Sequence, residues 1–238
     1  SIERYDENIG AVKIAGFYKE IENFLEYNST QGFGVLDGVT LPNDSRFQDL
    51  PENIYVQGSR PDNAEESVRI WGVEAALEKQ FTFLPGAWNG LGALLNYTYT
   101  DSKKTITWPF VLDQVKISDI PFGAQPRYSG TAAVSYNKHN IDTTLAYTVQ
   151  DRYLMGFDSN YTGLYQEQVC TLDLRAEYQF KRAGGNWRIY FEGSDLLKGV
   201  DDPNLERTRA GGSGAPKVYV GAYYNGGRAF RMGLAGSF

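Results

Sequence analysis

The sequence predicts an all-β fold, an antiparallel up-and-down transmembrane β-barrel with about eight strands in this chain. Three observations predict it. Apolar and polar residues alternate with period two over most of the chain. The segments that join the alternating runs are short and long by strict turns. The mean hydropathy is −0.43, and no apolar run approaches the roughly 18 residues that a spanning helix needs.

Composition removes several function classes. One cysteine, Cys170, and one histidine, His139, among 238 residues leave no intramolecular disulfide framework, no Cys-rich zinc site and no two-histidine metal motif. An ordinary Ser-His-Asp triad is hard to build beside a single histidine. A net charge of −6 argues against nucleic acid, which asks for a basic face. No enzyme chemistry and no cofactor are expected.

The strands are expected at about 9–25, 67–82, 91–101, 127–137, 140–152, 167–180, 186–197 and 218–238. In the first, Lys13 and Lys19 share a parity with Phe17 and Ile21, so its faces stay open. In the second, Trp71, Val73, Ala75, Leu77 and Phe81 oppose Glu74, Glu78 and Gln80, with Lys79 breaking the apolar row near one end. The third sets Leu91, Ala93, Leu95, Tyr97 and Tyr99 against Asn96, Thr98 and Thr100, and the fourth sets Ala132, Val134 and Tyr136 against Thr131 and Ser135. The fifth sets Ile141, Leu145, Tyr147 and Val149 against Asp142, Thr144 and Gln150. The sixth is the clearest: Cys170, Leu172, Leu174, Ala176, Tyr178 and Phe180 oppose Thr171, Asp173, Arg175, Glu177 and Gln179. Trp187, Ile189 and Phe191 then oppose Arg188, Tyr190 and Glu192, and the chain closes with Phe230, Met232, Leu234, Gly236 and Phe238 against Arg231, Gly233, Ala235 and Ser237.

The links 26–66, 102–126, 153–166 and 198–217 are long, whereas 6–8, 83–90, 138–139 and 181–185 are short. Outer-membrane barrels sort their connections in this way, with short periplasmic turns and long external loops. A soluble β-sandwich with one wet face also alternates, but its crossover links do not sort by length. Full charges on the polar face, and Tyr and Trp at the strand ends of the other, favour the barrel. A last strand that ends flush on Phe238 suits a barrel whose terminal aromatic is read during assembly.

Several stretches then resemble one family, the TonB-dependent outer-membrane receptors. The run from Gly16 through Phe17, Tyr18, Lys19, Glu20, Ile21, Glu22 and Asn23 to Phe24 is similar to one of its strands. Gly72-Val73-Glu74 followed by Gln80-Phe81-Thr82-Phe83-Leu84-Pro85-Gly86 resembles its next strand and turn. Gly90-Leu91-Gly92 and Asn96-Tyr97-Thr98-Tyr99-Thr100-Asp101-Ser102 resemble the strand after that. Leu172 to Tyr178, and Gly227-Arg228-Ala229-Phe230 to Phe238, resemble later ones. The resemblance implies a barrel of about 22 strands around a plug domain. Residues 1–238 would then be its C-terminal barrel segment, with the plug and the TonB-contacting segment N-terminal to it. It also implies a place in the bacterial outer membrane, among its lipids, and assembly by the barrel-assembly machinery. Its partners would be a small-molecule nutrient, a siderophore-iron chelate or an oligosaccharide, and the TonB–ExbB–ExbD system that supplies energy through the plug.

Candidate ligand-binding residues are those of the long links: Trp108, Phe110, Asp113, Tyr153, Phe157, Asp158, Tyr161, Tyr165 and Arg207, since aromatics beside carboxylates suit sugar stacking or capture of a metal chelate. Glu74, Asn96, Arg127, Asp173, Arg175, Glu177, Arg188 and Glu192 are expected to face the lumen and the plug, or to be cross-strand pairs of a wet interior. Trp71 and Trp187 read as interfacial anchors. The carboxylates Glu20/Glu22 and Asp201/Asp202 read as solvated charges, the loop from Asp195 to Asn204 lacks the spacing of a calcium loop, and Gly-rich 210–214 reads as a loop tip. Two other readings stay open at this point: a small passive eight-stranded outer-membrane barrel, and a soluble carbohydrate-binding β-sandwich.

Overall fold

The computed structural model describes residues 1–6, 9–33, 55–64, 66–109, 114–157, 163–198, 204–210, 218–224 and 227–237. Among the described residues the strands are antiparallel, and one 3-10 turn, Gly86–Gly90, interrupts them. The chain divides into two compact units, one of residues 1–17, 71–101 and 123–238 and the other of residues 18–70 and 102–122.

The main sheet follows chain order. Strand β1 is Ile2–Asp6, β2 Gly10–Ile21, β5 Val68–Gln80, β6 Leu91–Pro109, β8 Tyr128–Lys138, β9 Ile141–Gln150, β12 Val169–Arg182, β13 Gly185–Ser194 and β16 Ala229–Ser237, paired in that sequence. At 9 to 14 residues, β8, β9, β12, β13 and β16 reach or exceed the ~9–11 residues that a tilted strand needs to cross a membrane. The expected eight strands are joined on this path by β1, which makes nine.

Register makes the alternation cumulative. Leu95 pairs with Ala132, Ala132 with Tyr147, and Tyr147 with Leu172; Val134 pairs with Leu145, and Leu145 with Leu174. Tyr178 then pairs with Ile189 and Ile189 with Leu234. Because side chains alternate across a strand and opposed residues share a face, one continuous surface carries these apolar residues. Leu95, Val134, Leu145, Tyr147, Ile189, Met232 and Leu234 stay exposed on it, as fits side chains that meet lipid instead of a core.

Aromatic rings border this surface at both ends. Trp71 lies 5.6 Å from Tyr99, and Phe191 stacks on Phe230, where strands lead into long connections. Tyr178 stacks on Phe180, and Trp187 Nε1 donates to the Arg182 carbonyl, beside the short turns. Lys79 breaks the apolar row without exposing its charge: it is buried, with the ammonium 6.0 Å from the Phe83 ring.

The faces of β2, undecided from the sequence, follow from its neighbours. A Cβ on Gly72 would meet the Phe17 ring at 2.5 Å, and one on Gly10 would meet the Lys79 side chain. Phe17 and Lys13 therefore point to the face of Gly72 and Glu74, while Ile14 and Tyr18 lie on the exposed apolar face.

Short turns close the sheet at one end. His139 and Asn140, at φ 54° and 61°, form a two-residue turn, as do Ala183 and Gly184 at 52° and 77°. Positive φ at both central positions matches the twist of the flanking strands. The longer turn over 81–90 is tied to β8 by Lys138 Nζ, which donates to the Gly86 carbonyl and to Asn89 Oδ1.

The long links are not strand-free, which corrects the sequence reading. Strands β3, Leu25–Phe33, and β4, Tyr55–Asn63, form a hairpin. β6 runs on through Pro109 and pairs there with β7, Gln114–Ile120. In the second unit Phe24 packs edge-on against Phe122 at 6.0 Å, with Lys104 Nζ 4.5 Å from the Phe24 ring. In the first unit β10, Tyr153–Phe157, β11, Gly163–Gln166, β14, Asn204–Ala210, and β15, Val218–Tyr224, form a four-stranded sheet. The expected single strand over 218–238 is thus two, β15 and β16, in different sheets.

Candidate functional site

The polar face of the main sheet carries the expected lumen residues as a ladder. Cross-strand pairing sets Arg175 beside Glu192 and Glu192 beside Arg231. The next rows are Glu177–Tyr190–Gly233, Gln179–Arg188–Ala235 and Lys181–Asn186–Ser237. The Tyr190 ring lies over Gly233, where any Cβ would collide with it. Charges alternate so that the two glutamates Glu177 and Glu192 each find a guanidinium: Arg231 Nη1 is 3.4 Å from Glu192 Oε2.

Glu177 is the hub. It is 9% exposed, with Arg188 Nη1 at 3.5 Å and Arg175 Nη2 at 3.7 Å from Oε2, while Gln179 Nε2 donates to Oε1 at 2.9 Å. Its neighbour on β9 is another carboxylate, Asp142, to which Asn137 Nδ2 donates at 2.9 Å. Like charges opposed across strands destabilise, and the two arginines offset that. Replacing Glu177 by leucine leaves both guanidiniums without their shared acceptor. A loss of about 1–2 kcal/mol is expected in urea unfolding of the lipid-inserted protein, with Glu177→Gln falling between the two.

Asp173 accepts from the Asp195 amide at 2.9 Å and from Thr171 Oγ1 at 3.3 Å, and so caps the turn that follows β13. Asp195 in turn bridges to Lys198 at 3.3 Å. Asn96 Oδ1 accepts from the Thr131 amide at 3.0 Å. Glu74 shares the parity of Gln80, whose amide a Cβ on Gly92 would meet together with Ser135 Oγ, which places it on the same polar face. Arg127 departs from the set. It precedes β8 and lies 5.8 Å from the Tyr99 ring centroid and 4.0 Å from Asp101, two members of the outward row, because a charge outside the strand turns to the carboxylate in reach. Glu20, of the pair singled out with Glu22, accepts from Ser67 Oγ at 3.0 Å and meets Arg69 Nε at 3.4 Å.

The expected ligand residues are only partly brought together. In the four-stranded sheet Tyr153 pairs with Gln166 and Gln166 with Arg207, while Leu154 pairs with Tyr165 and Tyr165 with Thr208. Tyr153 and Tyr165 thus fall in different rows of this sheet, and Arg207 stands at the register position of Tyr153. Arg152, not singled out from the sequence, stacks on Tyr165 with Cζ 4.0 Å from the ring centroid and bridges Glu167 at 3.1 Å. Its place one residue before Tyr153, at the end of an alternating run, was the available signal. Trp108 lies on β6 opposite Val115. Phe110, Asp113, Asp158, Tyr161, Asp201, Asp202, Phe238 and residues 211–214 lie outside the described residues, as do the side chains of Trp108, Phe157 and Arg207.

A sheet with one apolar exposed face bordered by aromatics, one face of paired charges and its short turns at one end is wall of a transmembrane barrel. The family model described as TonB dependent receptor-like, beta-barrel matches residues 1–196, and the chain belongs to that family. No curated protein and no solved structure matches it. Proteins of this family are receptors and transporters of the bacterial outer membrane, not enzymes. The soluble sandwich reading falls with that membership.

Proposed function

We propose that the chain is the C-terminal barrel segment of a receptor that binds a scarce nutrient outside the cell and imports it with energy supplied by TonB–ExbB–ExbD through an N-terminal plug. The observation that carries this reading is the family match over residues 1–196 on a sheet that sorts apolar and charged faces along β8 to β16, with Lys138 and Arg182 as charges on the apolar parity at the short-turn ends. In this reading Glu74, Asn96, Asp173, Arg175, Glu177, Arg188 and Glu192 line the lumen and meet the plug. Ligand capture falls to the long connections, with Tyr153, Tyr165 and Arg207 on their sheet, Trp108 on β6, and Phe110, Asp113 and Asp158 beyond the described residues. Aromatics beside polar groups suit a sugar or a metal chelate.

Uptake tests this directly. Cells lacking the gene should lose import of one labelled substrate, a ferric siderophore or an oligosaccharide, and a protonophore should abolish that import in the parent strain. Import that survives the protonophore would make the protein a passive pore. A second expectation concerns assembly. Deleting Phe238 should lower the folded, heat-modifiable band in outer membranes several-fold, as expected of an aromatic read by the barrel-assembly machinery; unchanged levels would remove that role.

A further inference from the structure

The rows of the polar ladder are filled unevenly. β16 supplies Gly233, Ala235 and Ser237 to the three rows nearest the short turns, opposite Tyr190, Arg188 and Asn186. Tyr190 fills the space over Gly233, and the two rows beyond it leave a concavity of about 720 Å³ lined by Glu177, Gln179, Lys181, Asn186, Arg188 and Ser237. Its charges do not cancel. Glu177 is shared with Arg175 from outside the concavity. Asp142 does not line it and is held by Asn137. Lys181 is exposed, in a row with an amide and a hydroxyl. Arg188 meets Glu177 through Nη1 alone, at 3.5 Å, so the rest of its guanidinium remains to donate.

A planar guanidinium beside an ammonium, with amide and hydroxyl donors around them, matches a two-oxygen anion. We propose that this concavity binds a carboxylate group, with Arg188 donating to its oxygens, Lys181 supplying the second positive charge, and Asn186 and Ser237 completing the hydrogen bonds. The proposal rests on the polar face being a lumen and names what that lumen holds near its short-turn end. The carboxylate has two possible sources, a small dissolved acid or an Asp or Glu side chain of polypeptide packed inside the barrel.

Carbodiimide coupling of the full-length receptor separates them. The reagent activates carboxylates, and an ammonium in contact with one forms an amide that peptide mass spectrometry locates. Lys198, 3.3 Å from Asp195, is the internal control. Without additive, an amide from Lys181 to an Asp or Glu of another peptide identifies the polypeptide source. With succinate present, a succinyl adduct on Lys181 identifies the solute source. Either result supports the site, and in either the Arg188→Gln variant should lower the Lys181 yield about tenfold, the factor given by one lost charge-assisted hydrogen bond. No Lys181 adduct in both arms while Lys198 couples to Asp195 overturns the proposal, as does an undiminished yield in Arg188→Gln. Coupling is read in whichever fraction contains the receptor, so failure of the membrane reading shows separately, as solubility without detergent.

Discussion

Leu145→Arg should cost the folded protein about 2–4 kcal/mol, the penalty of a cation on the lipid face near the midplane of a transmembrane barrel. Leu145 lies mid-strand on β9, exposed, between Val134 and Leu174 on the neighbouring strands. No carboxylate shares its row, and an arginine there would have to reach an aromatic border to find water. The expected result is a lower urea midpoint in liposomes and a sharp fall in outer-membrane level. Ala146→Arg provides the contrast. One residue on, the same charge lands on the polar face opposite Asp173 and should be tolerated within about 1 kcal/mol. Equal losses in the two variants would contradict the assignment of faces.

Gly72→Val should be comparably damaging for a steric reason. A Cβ at position 72 would run into the Tyr99 carbonyl oxygen on β6 and meet two Phe17 ring atoms at 2.5 and 2.8 Å. The ring can move, but the carbonyl belongs to the ladder between β5 and β6. Overpacking of this kind costs typically ~1–3 kcal/mol, and more where backbone must shift. Phe17→Ala in the same chain should recover only part of the loss, because it relieves the ring and not the carbonyl. Full recovery in that double variant would show that β5 and β6 can separate freely, against the close approach seen here.

Both arguments rest on parity, and parity was legible in the sequence wherever one face was uniformly apolar. From Leu91 to Phe191 the rows read from residue identity are the rows paired in the structure. β2 was illegible because its inward face mixes Phe17 with Lys13, and the reason for an inward aromatic, a glycine on the next strand, is not local. The strands within the long links were missed for another reason. Tyr153–Phe157 and Gly163–Gln166 are short, and neither alternates. Val218–Tyr224 is apolar on both parities, so it read as the start of β16 until its pairing with β14 separated them. The ladder residues were legible as a polar face, but their partners were not. Glu177 becomes a hub only when register sets β13 beside it, and Arg127 leaves the set because it lies just outside its strand.

The two-residue turns at His139–Asn140 and Ala183–Gly184 also bear on the time course of assembly. β8 and β9, and β12 and β13, are neighbours in sequence and can zip from their turns on the microsecond scale of isolated hairpins. β9 meets β12 only after residues 151–168 have been looped out, and β13 meets β16 only across residues 195–228. Loop closure slows such non-local pairings. The sheet is therefore expected to grow in hairpin units docked pairwise, with the long connections setting the pace and the tight turns supplying preformed pieces.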